Sequence, residues 1–396
     1  MRLSVVERVL LEASKRIEAS IGMRSCFGTA LVGDVLSNDL GLNCPESLLR
    51  SASLFKMLVL GVLVSIIVCV IVCGLPLRAK ADPLGIQNQF LLNSVHLSAA
   101  PESATTLSEG AFTFESRFSV TNSFVSEDFY VVDAEQRTTD LAFGYGLPSQ
   151  TELGFVLPIV WRGGGVFDHT IRQWHETFKL PDGDRDTVED DQYSVKGQTD
   201  SGTFSFDEKG FSLGDLRLAL KHQFWGSQET LGWQGSVGAE AALPTAREGF
   251  GQNGVDGALK LLAAYRGNGW VLDGGAAVLL YSDQKINGIE YDAAHFEGFL
   301  GAEIELCEWL EARVGLYGGQ QSIQNLSEMP GEFLYLDTGL ESQVGSGQSL
   351  VLLVRENPYP SRQSADVTIT LAYRVAFNLQ APSDSKTAFD RATVGE

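Results

Sequence analysis

Hydrophobic and polar positions alternate with a period of two through most of the chain beyond residue 110. In residues 111–121, Phe112, Phe114, Phe118 and Val120 share one parity, while Thr113, Glu115, Arg117, Ser119 and Thr121 hold the other. In residues 366–377, Val367, Ile369, Leu371, Tyr373, Val375 and Phe377 alternate with Asp366, Thr368, Thr370, Ala372, Arg374 and Ala376. Leu153, Phe155, Leu157, Ile159 and Trp161 form a third row. Successive side chains of a strand point to opposite faces, so each stretch has one apolar and one polar side.

About twelve segments carry the pattern: 110–122, 137–147, 151–162, 212–225, 229–243, 255–266, 269–282, 291–306, 309–318, 332–344, 348–355 and 365–377. Most are 10–14 residues long. Typical globular strands have roughly five or six residues, and a tilted strand crosses a bilayer's hydrocarbon core in roughly 9–11. The connections 148–150, 226–228, 267–268, 307–308 and 345–347 are short; 123–136, 163–211, 244–254, 283–290, 319–331 and 356–364 are longer. Short and long alternate throughout. An up-and-down barrel puts alternate turns at the same end, and outer-membrane barrels have short periplasmic turns and long outer loops. The expected fold is therefore all-β: an antiparallel up-and-down transmembrane β-barrel of about twelve strands. Both ends of the barrel chain then fall on the periplasmic side.

The spacing of Phe167, Ile171, Trp174 and Phe178 adds a short amphipathic helix inside the longest outer loop. Its apolar stripe must be buried, by folding into the lumen as a plug, by resting on the outer interface, or by capping a ligand. Phe124, Phe129, Trp161, Trp225, Trp270, Tyr281, Trp309 and Tyr359 lie near strand ends and suit interfacial girdles. Twelve strands about 4.8 Å apart and tilted about 40° give a backbone diameter of about 24 Å, and side chains narrow it by roughly 10 Å.

The apolar run 58–75 is uncharged, with Arg50 and Lys56 before it and Pro76 and an A-x-A at Ala79 and Ala81 after it. These are the parts of a secretory signal peptide cut after Ala81; a retained anchor is the rival reading. The chain is then expected to divide into an N-terminal extension at 1–56, a signal peptide at 57–81, a periplasmic lead-in at 82–109, a barrel at 110–377 and a polar tail at 378–396; the extension reads either as sequence upstream of a misassigned start or, from the helical spacing over 5–21, as a small cytoplasmic helix. The expected destination is the outer membrane of a Gram-negative envelope.

Composition narrows the functions. The net charge is −21, with 29 Lys+Arg against 50 Asp+Glu, which argues against nucleic acid as a partner. Of five cysteines only Cys307 follows residue 81, so no intramolecular disulfide or zinc cluster is expected there. An enzyme would need histidine. His169 and His175 lie near Asp168, Glu176 and Ser194, the materials of a rim lipid hydrolase, but no GxSxG is present. His175 and Asp168 are weak catalytic candidates. Gly163, Gly164 and Gly165 lack the Lys-Ser/Thr of a P-loop and suit a tight re-entry of the loop. The acidic residues 184–191 lack EF-hand spacing, so no metal or cofactor is expected.

Charged residues of the polar parity, among them Arg117, Glu152, Arg217, Lys221, Glu240 and Arg374, should line the lumen. A charge on the lipid face costs up to about 2–4 kcal/mol at mid-membrane.

The opening Pro83-Leu84-Gly85-Ile86-Gln87-Asn88-Gln89-Phe90, the Trp161-Arg162-Gly163-Gly164-Gly165 run with Asp168, His175, Phe178 and Leu180-Pro181-Asp182-Gly183 after it, and Leu213-Gly214-Asp215-Leu216 form one set of motifs. Arg355-Glu356-Asn357 and Ala365-Asp366-Val367-Thr368 complete it. Over roughly 83–377 the chain resembles the domain of unknown function 3187 family, which is similar to outer-membrane β-barrels. The resemblance implies a barrel and brings no activity. The expected role is a narrow channel or a structural or binding barrel with an in-folded loop. Its partners would be outer-membrane lipid, the barrel-assembly machinery and a small solute. A lipid hydrolase and a soluble periplasmic β-sandwich are the alternatives.

Overall fold

The computed structural model describes residues 83–165, 167–168, 173, 189–227, 231–326, 331–358 and 364–378. The first strands are β1 (Ala111–Ser126), β2 (Tyr130–Leu147), β3 (Thr151–Gly163), β4 (Ser194–Thr199), β5 (Gly202–Ser205) and β6 (Gly210–Leu213). Next come β7 (Leu216–Trp225), β8 (Gly232–Leu243), β9 (Asp256–Arg266), β10 (Trp270–Leu280), β11 (Lys285–Ile286) and β12 (Ile289–Glu290). The chain continues with β13 (Ala294–Cys307), β14 (Leu310–Gln320), β15 (Glu332–Gly345), β16 (Gln348–Glu356) and β17 (Val367–Asn378).

Twelve of these strands make one closed antiparallel barrel. Each pairs with its neighbour along the chain, β3 with β7 and β10 with β13 across the longer loops, and β1 closes on β17 from Ala111↔Asn378 to Asn122↔Val367. Closure leaves no unpaired edge in the wall, which a strand in lipid cannot tolerate.

Burial runs in the inside-out sense of a membrane barrel. Leu259 and Leu261 are 61% and 58% exposed, whereas Lys260 between them is 9% exposed. Ile369 is exposed, and Thr368, Thr370 and Arg374 are buried. A soluble sandwich would bury the leucines and expose the lysine. Around the short-turn end Trp225 and Trp309 are exposed, and Trp233, Tyr265 and Trp270 stand in a row with ring centroids 5.2 and 5.5 Å apart. Phe124 and Tyr281 do not belong to a girdle, because both are buried. Tyr359 lies outside the described residues.

Two expectations need correction at the long-loop end. The connection 123–136 is mostly strand, and only residues 127–129 link β1 to β2. There β4 pairs with Tyr130–Asp133 of β2, and Asn122, Ser123, Phe124 and Val125 are all buried. Both faces are covered, so alternation no longer marks the strand. The second half of the 163–211 loop is not irregular either; it carries β4, β5 and β6. The helix expected over 167–178 falls almost wholly outside the described residues, as do the signal peptide, the N-terminal extension and the polar tail.

The lead-in occupies the barrel interior. Residues 84, 86, 90–92, 95, 97, 99 and 104 are buried apolar positions that touch the wall rather than solvent. The segment rises to a tight turn at 90–94, where Asn93 N and Ser94 N donate to Phe90 O at 2.9 and 2.8 Å. It then descends and leaves at the short-turn end, where Gly110 N donates to Gly146 O at 2.9 Å. Gln87 Nε2 to Ser98 O (3.1 Å) and Asn88 N to Ser98 Oγ (2.7 Å) tie the two legs together.

Candidate functional site

The interior of the barrel is the site, and residues 83–107 are its occupant. They add no strand to the sheet, so their buried backbone groups need other partners. Wall side chains supply them. Asp256 Oδ2 accepts from Leu97 N (3.2 Å), Glu297 Oε2 from Ala99 N (2.5 Å), Gln223 Oε1 from Thr106 N (3.1 Å) and Glu152 Oε2 from Leu107 N (2.8 Å). In the other sense Tyr291 Oη donates to Leu92 O (2.6 Å) and Tyr281 Oη to Leu97 O (3.0 Å). His96 stacks on Tyr281 at 4.0 Å, with Nδ1 2.8 Å from Asp256 Oδ2.

Two arginines clamp the segment. Arg355 donates to both oxygens of Asp337 (2.7 and 2.8 Å), and its Nη1 reaches the carbonyls of Ile86 (3.1 Å) and Gln87 (3.0 Å). Its guanidinium lies over the rings of Tyr317 and Tyr335. Arg162 holds the turn: Nη2 donates to Ser94 Oγ (3.2 Å), Nε to Gln136 Oε1 (2.9 Å) and Nη1 to Gly249 O (2.6 Å). Both arginines are 1% exposed. A bidentate, planar guanidinium suits this work because it fixes direction as well as charge.

Above the turn the mouth is covered by an apolar cluster. Phe90, Leu91 and Leu92 pack with Val195, Phe204 and Phe206 of the long loop and with Ile286, Ile289 and Tyr291 of the β11–β12 region. Asp215 braces the neighbouring 244–252 loop by accepting from Thr245 N, Ala246 N and Gln252 N at 2.9–3.0 Å. Burial raises its carboxyl above the usual range, although those three donors pull the other way.

Below, a belt of opposite charges crosses the lumen. Asp140 accepts from Arg217 (2.9 Å) and Arg117 (3.2 Å); Glu115 pairs with Arg117 (3.2 Å) and Arg374 (2.7 Å). Glu341 bridges Arg374 (3.8 Å) and Arg313, and Arg313 also meets Glu303 (3.5 Å). On the opposite wall Lys221 meets Glu152 (3.6 Å), and Lys260 meets Glu240 (2.5 Å). Beside the descending leg is a cavity of about 210 Å³, lined by Thr113, Gly144, Glu152, Lys221, Lys260 and Arg217 among others.

The structure thus brings Arg117, Glu152, Arg217, Lys221, Glu240 and Arg374 into one polar interior. Arg162 stands apart from them at the far end, as a clamp. Gly164 and Gly165 serve close packing. A Cβ at Gly164 would sit 2.2 Å from Asp191 O, and one at Gly165 would sit 2.3 Å from Asp168 Oδ1. Asp168 is buried and accepts from Asn122 Nδ2 (2.8 Å) and Asp191 N (2.9 Å), which is a structural role. Trp174 and His175 lie outside the described residues. The occupant of the lumen was missed from sequence, and so was Glu102. The available signals were the seven apolar residues between Leu84 and Leu97, and tyrosines 317 and 335 on the lumen-facing parity of their strands.

Fold and site together define a twelve-stranded β-barrel with an apolar exterior and a polar lumen occupied by residues 83–107. The chain belongs to the family described as "Protein of unknown function (DUF3187)", whose model matches residues 59–377. No curated protein matches it. Among solved structures it is similar to the COG4313 outer membrane channel from Pseudomonas putida F1, at 14% identity and TM-score 0.49, over 71% of this chain and 100% of that one. It is similar also to the CymD monoaromatic hydrocarbon channel, at 11% identity and TM-score 0.37, over 76% and 96%. The Ralstonia pickettii toluene transporter TbuX matches at 10% identity and TM-score 0.38, over 76% and 96%.

Proposed function

We propose that the protein is a narrow outer-membrane channel for a small solute, shut in this conformation by residues 83–107. The short turns face the periplasm and the capped mouth faces outward. The carrying observation is the way the segment is held. Its backbone is held by hydrogen bonds from wall side chains and its apolar side chains by packing, and no strand pairing joins it to the sheet. Such a segment can be exchanged for water and solute without opening the wall, because the ladder that seals the barrel is complete without it. Among the described residues, Ser236 Oγ and Ser349 Oγ face the interior without a protein partner, which suits a hydrated path. Cleavage after Ala81 would leave the segment with a free end. A purely structural barrel has less use for an occupant bound through so many charged groups, since burying ion pairs gains little stability over apolar packing.

The test is current across a planar bilayer. The intact chain should conduct rarely and briefly, and a chain lacking residues 83–107 should conduct steadily. A folded deletion variant that stays silent would contradict the channel reading. Lipid hydrolysis by the intact protein, lost on His175→Ala, would favour the hydrolase instead.

A further inference from the structure

The descending leg carries a carboxylate into a site built by the wall. Glu102 Oε1 lies 3.2 Å from Lys221 Nζ, and Glu102 Oε2 lies 3.1 Å from Lys260 Nζ. The two lysines stand in one row: Lys221 of β7 is registered with Gly238 of β8, and Gly238 with Lys260 of β9. Glycine between them leaves a slot with no side chain, across which the two ammonium groups meet one carboxylate. Lys221 also donates to Ser103 O at 3.2 Å, so the same lysine holds the leg's backbone. Both lysines are nine-tenths or more buried, and both line the cavity of about 210 Å³ beside Glu102.

We propose that this pair of lysines is a binding site for a small carboxylate solute, and that Glu102 is a tethered stand-in which such a solute displaces to loosen the plug. The inference rests on the channel reading and names its substrate class. Geometry supports it. Lys221 and Lys260 each keep a wall partner, Glu152 and Glu240, and each turns a further contact toward one oxygen of the same carboxylate. An alcohol offers one acceptor oxygen and an ammonium none, so neither replaces both contacts. A carboxylate regains both lysine contacts and takes its apolar end into the cavity. Displacement removes the ion pairs of Glu102 from the Glu102–Leu107 stretch, while Lys221, Gln223 and Glu152 still hold its backbone and Ala104 still packs on Leu262 and Ala264.

The experiment compares butyrate, 1-butanol and butylammonium by titration calorimetry on the folded full chain, its Glu102→Gln variant, and Glu102→Gln with Lys221→Met and Lys260→Met. Removing the tethered competitor should tighten butyrate binding about tenfold or more, because a tethered group competes at an effective millimolar concentration. Butanol and butylammonium should show no such gain, and the lysine variant should lose it. Equal butyrate affinity in the native and Glu102→Gln chains, or a gain that survives loss of both lysines, would overturn the site. Bilayer current separates this result from the channel reading. Steady current from the 83–107 deletion without butyrate binding to Glu102→Gln removes only the carboxylate site. Butyrate binding without current from the deletion keeps the site and removes the channel.

Discussion

Arg355 shows how one residue serves fold and occupant together. Its two bonds to Asp337 join β16 to β15, and its third nitrogen grips the rising leg through two carbonyls. Replacing it with methionine strands a carboxylate in a buried place. Breaking such a pair costs about 3–5 kcal/mol, and Asp337→Asn in the same chain should return part of it. Denaturant unfolding in detergent measures both, and an Arg355→Met chain as stable as the native one would contradict the clamp. Arg162 and Arg355 were legible in sequence only as members of family-like motifs. Neither charge alternation nor spacing says what a guanidinium at a strand's end will hold, because the partner carbonyls lie far away along the chain.

At the scale of the strand, alternation decides which face meets what. Leu300 of β13 is 63% exposed, on the face that meets lipid. Leu300→Arg should cost about 2–4 kcal/mol when folding into vesicles is followed at equilibrium, as expected for a charge near the bilayer midplane. A variant that folds as readily as the native chain would place that face in water. The period-two rows of β7, β9 and β17 could be read from sequence because one face is covered and the other is not. The tops of β1 and β2 could not, since residues of both parities are buried there. The β4–β6 strands were hidden for a related reason: they are four to six residues long and lean on existing edges rather than carrying a row of their own.

For the whole molecule, the sequence reading did not find that residues 83–107 occupy the lumen. The helix it expected in the long loop, whose apolar stripe could plug the lumen, rest on the outer interface or cap a ligand, lies almost wholly outside the described residues. Residues 83–107 have no periodicity, so their apolar residues do not read as a strand or a helix. Their apolar groups and bare backbone find partners only once a closed wall surrounds them. The Gly164 and Gly165 contacts and the apolar cluster at the mouth then show the long loop working as part of a cover.

The plug's place in the lumen can be tested by locking it. Asn93 Nδ2 at the turn donates to Gln321 Oε1 on the wall side of the mouth at 3.4 Å. In a chain whose native cysteines are replaced by serine, a short bifunctional thiosulfonate should bridge Asn93→Cys and Gln321→Cys through a reducible disulfide at each end. Single-molecule current across a planar bilayer should be absent while that bridge is intact and should appear as brief openings when a reductant is added. Equal current in both states would contradict a plug that gates the barrel.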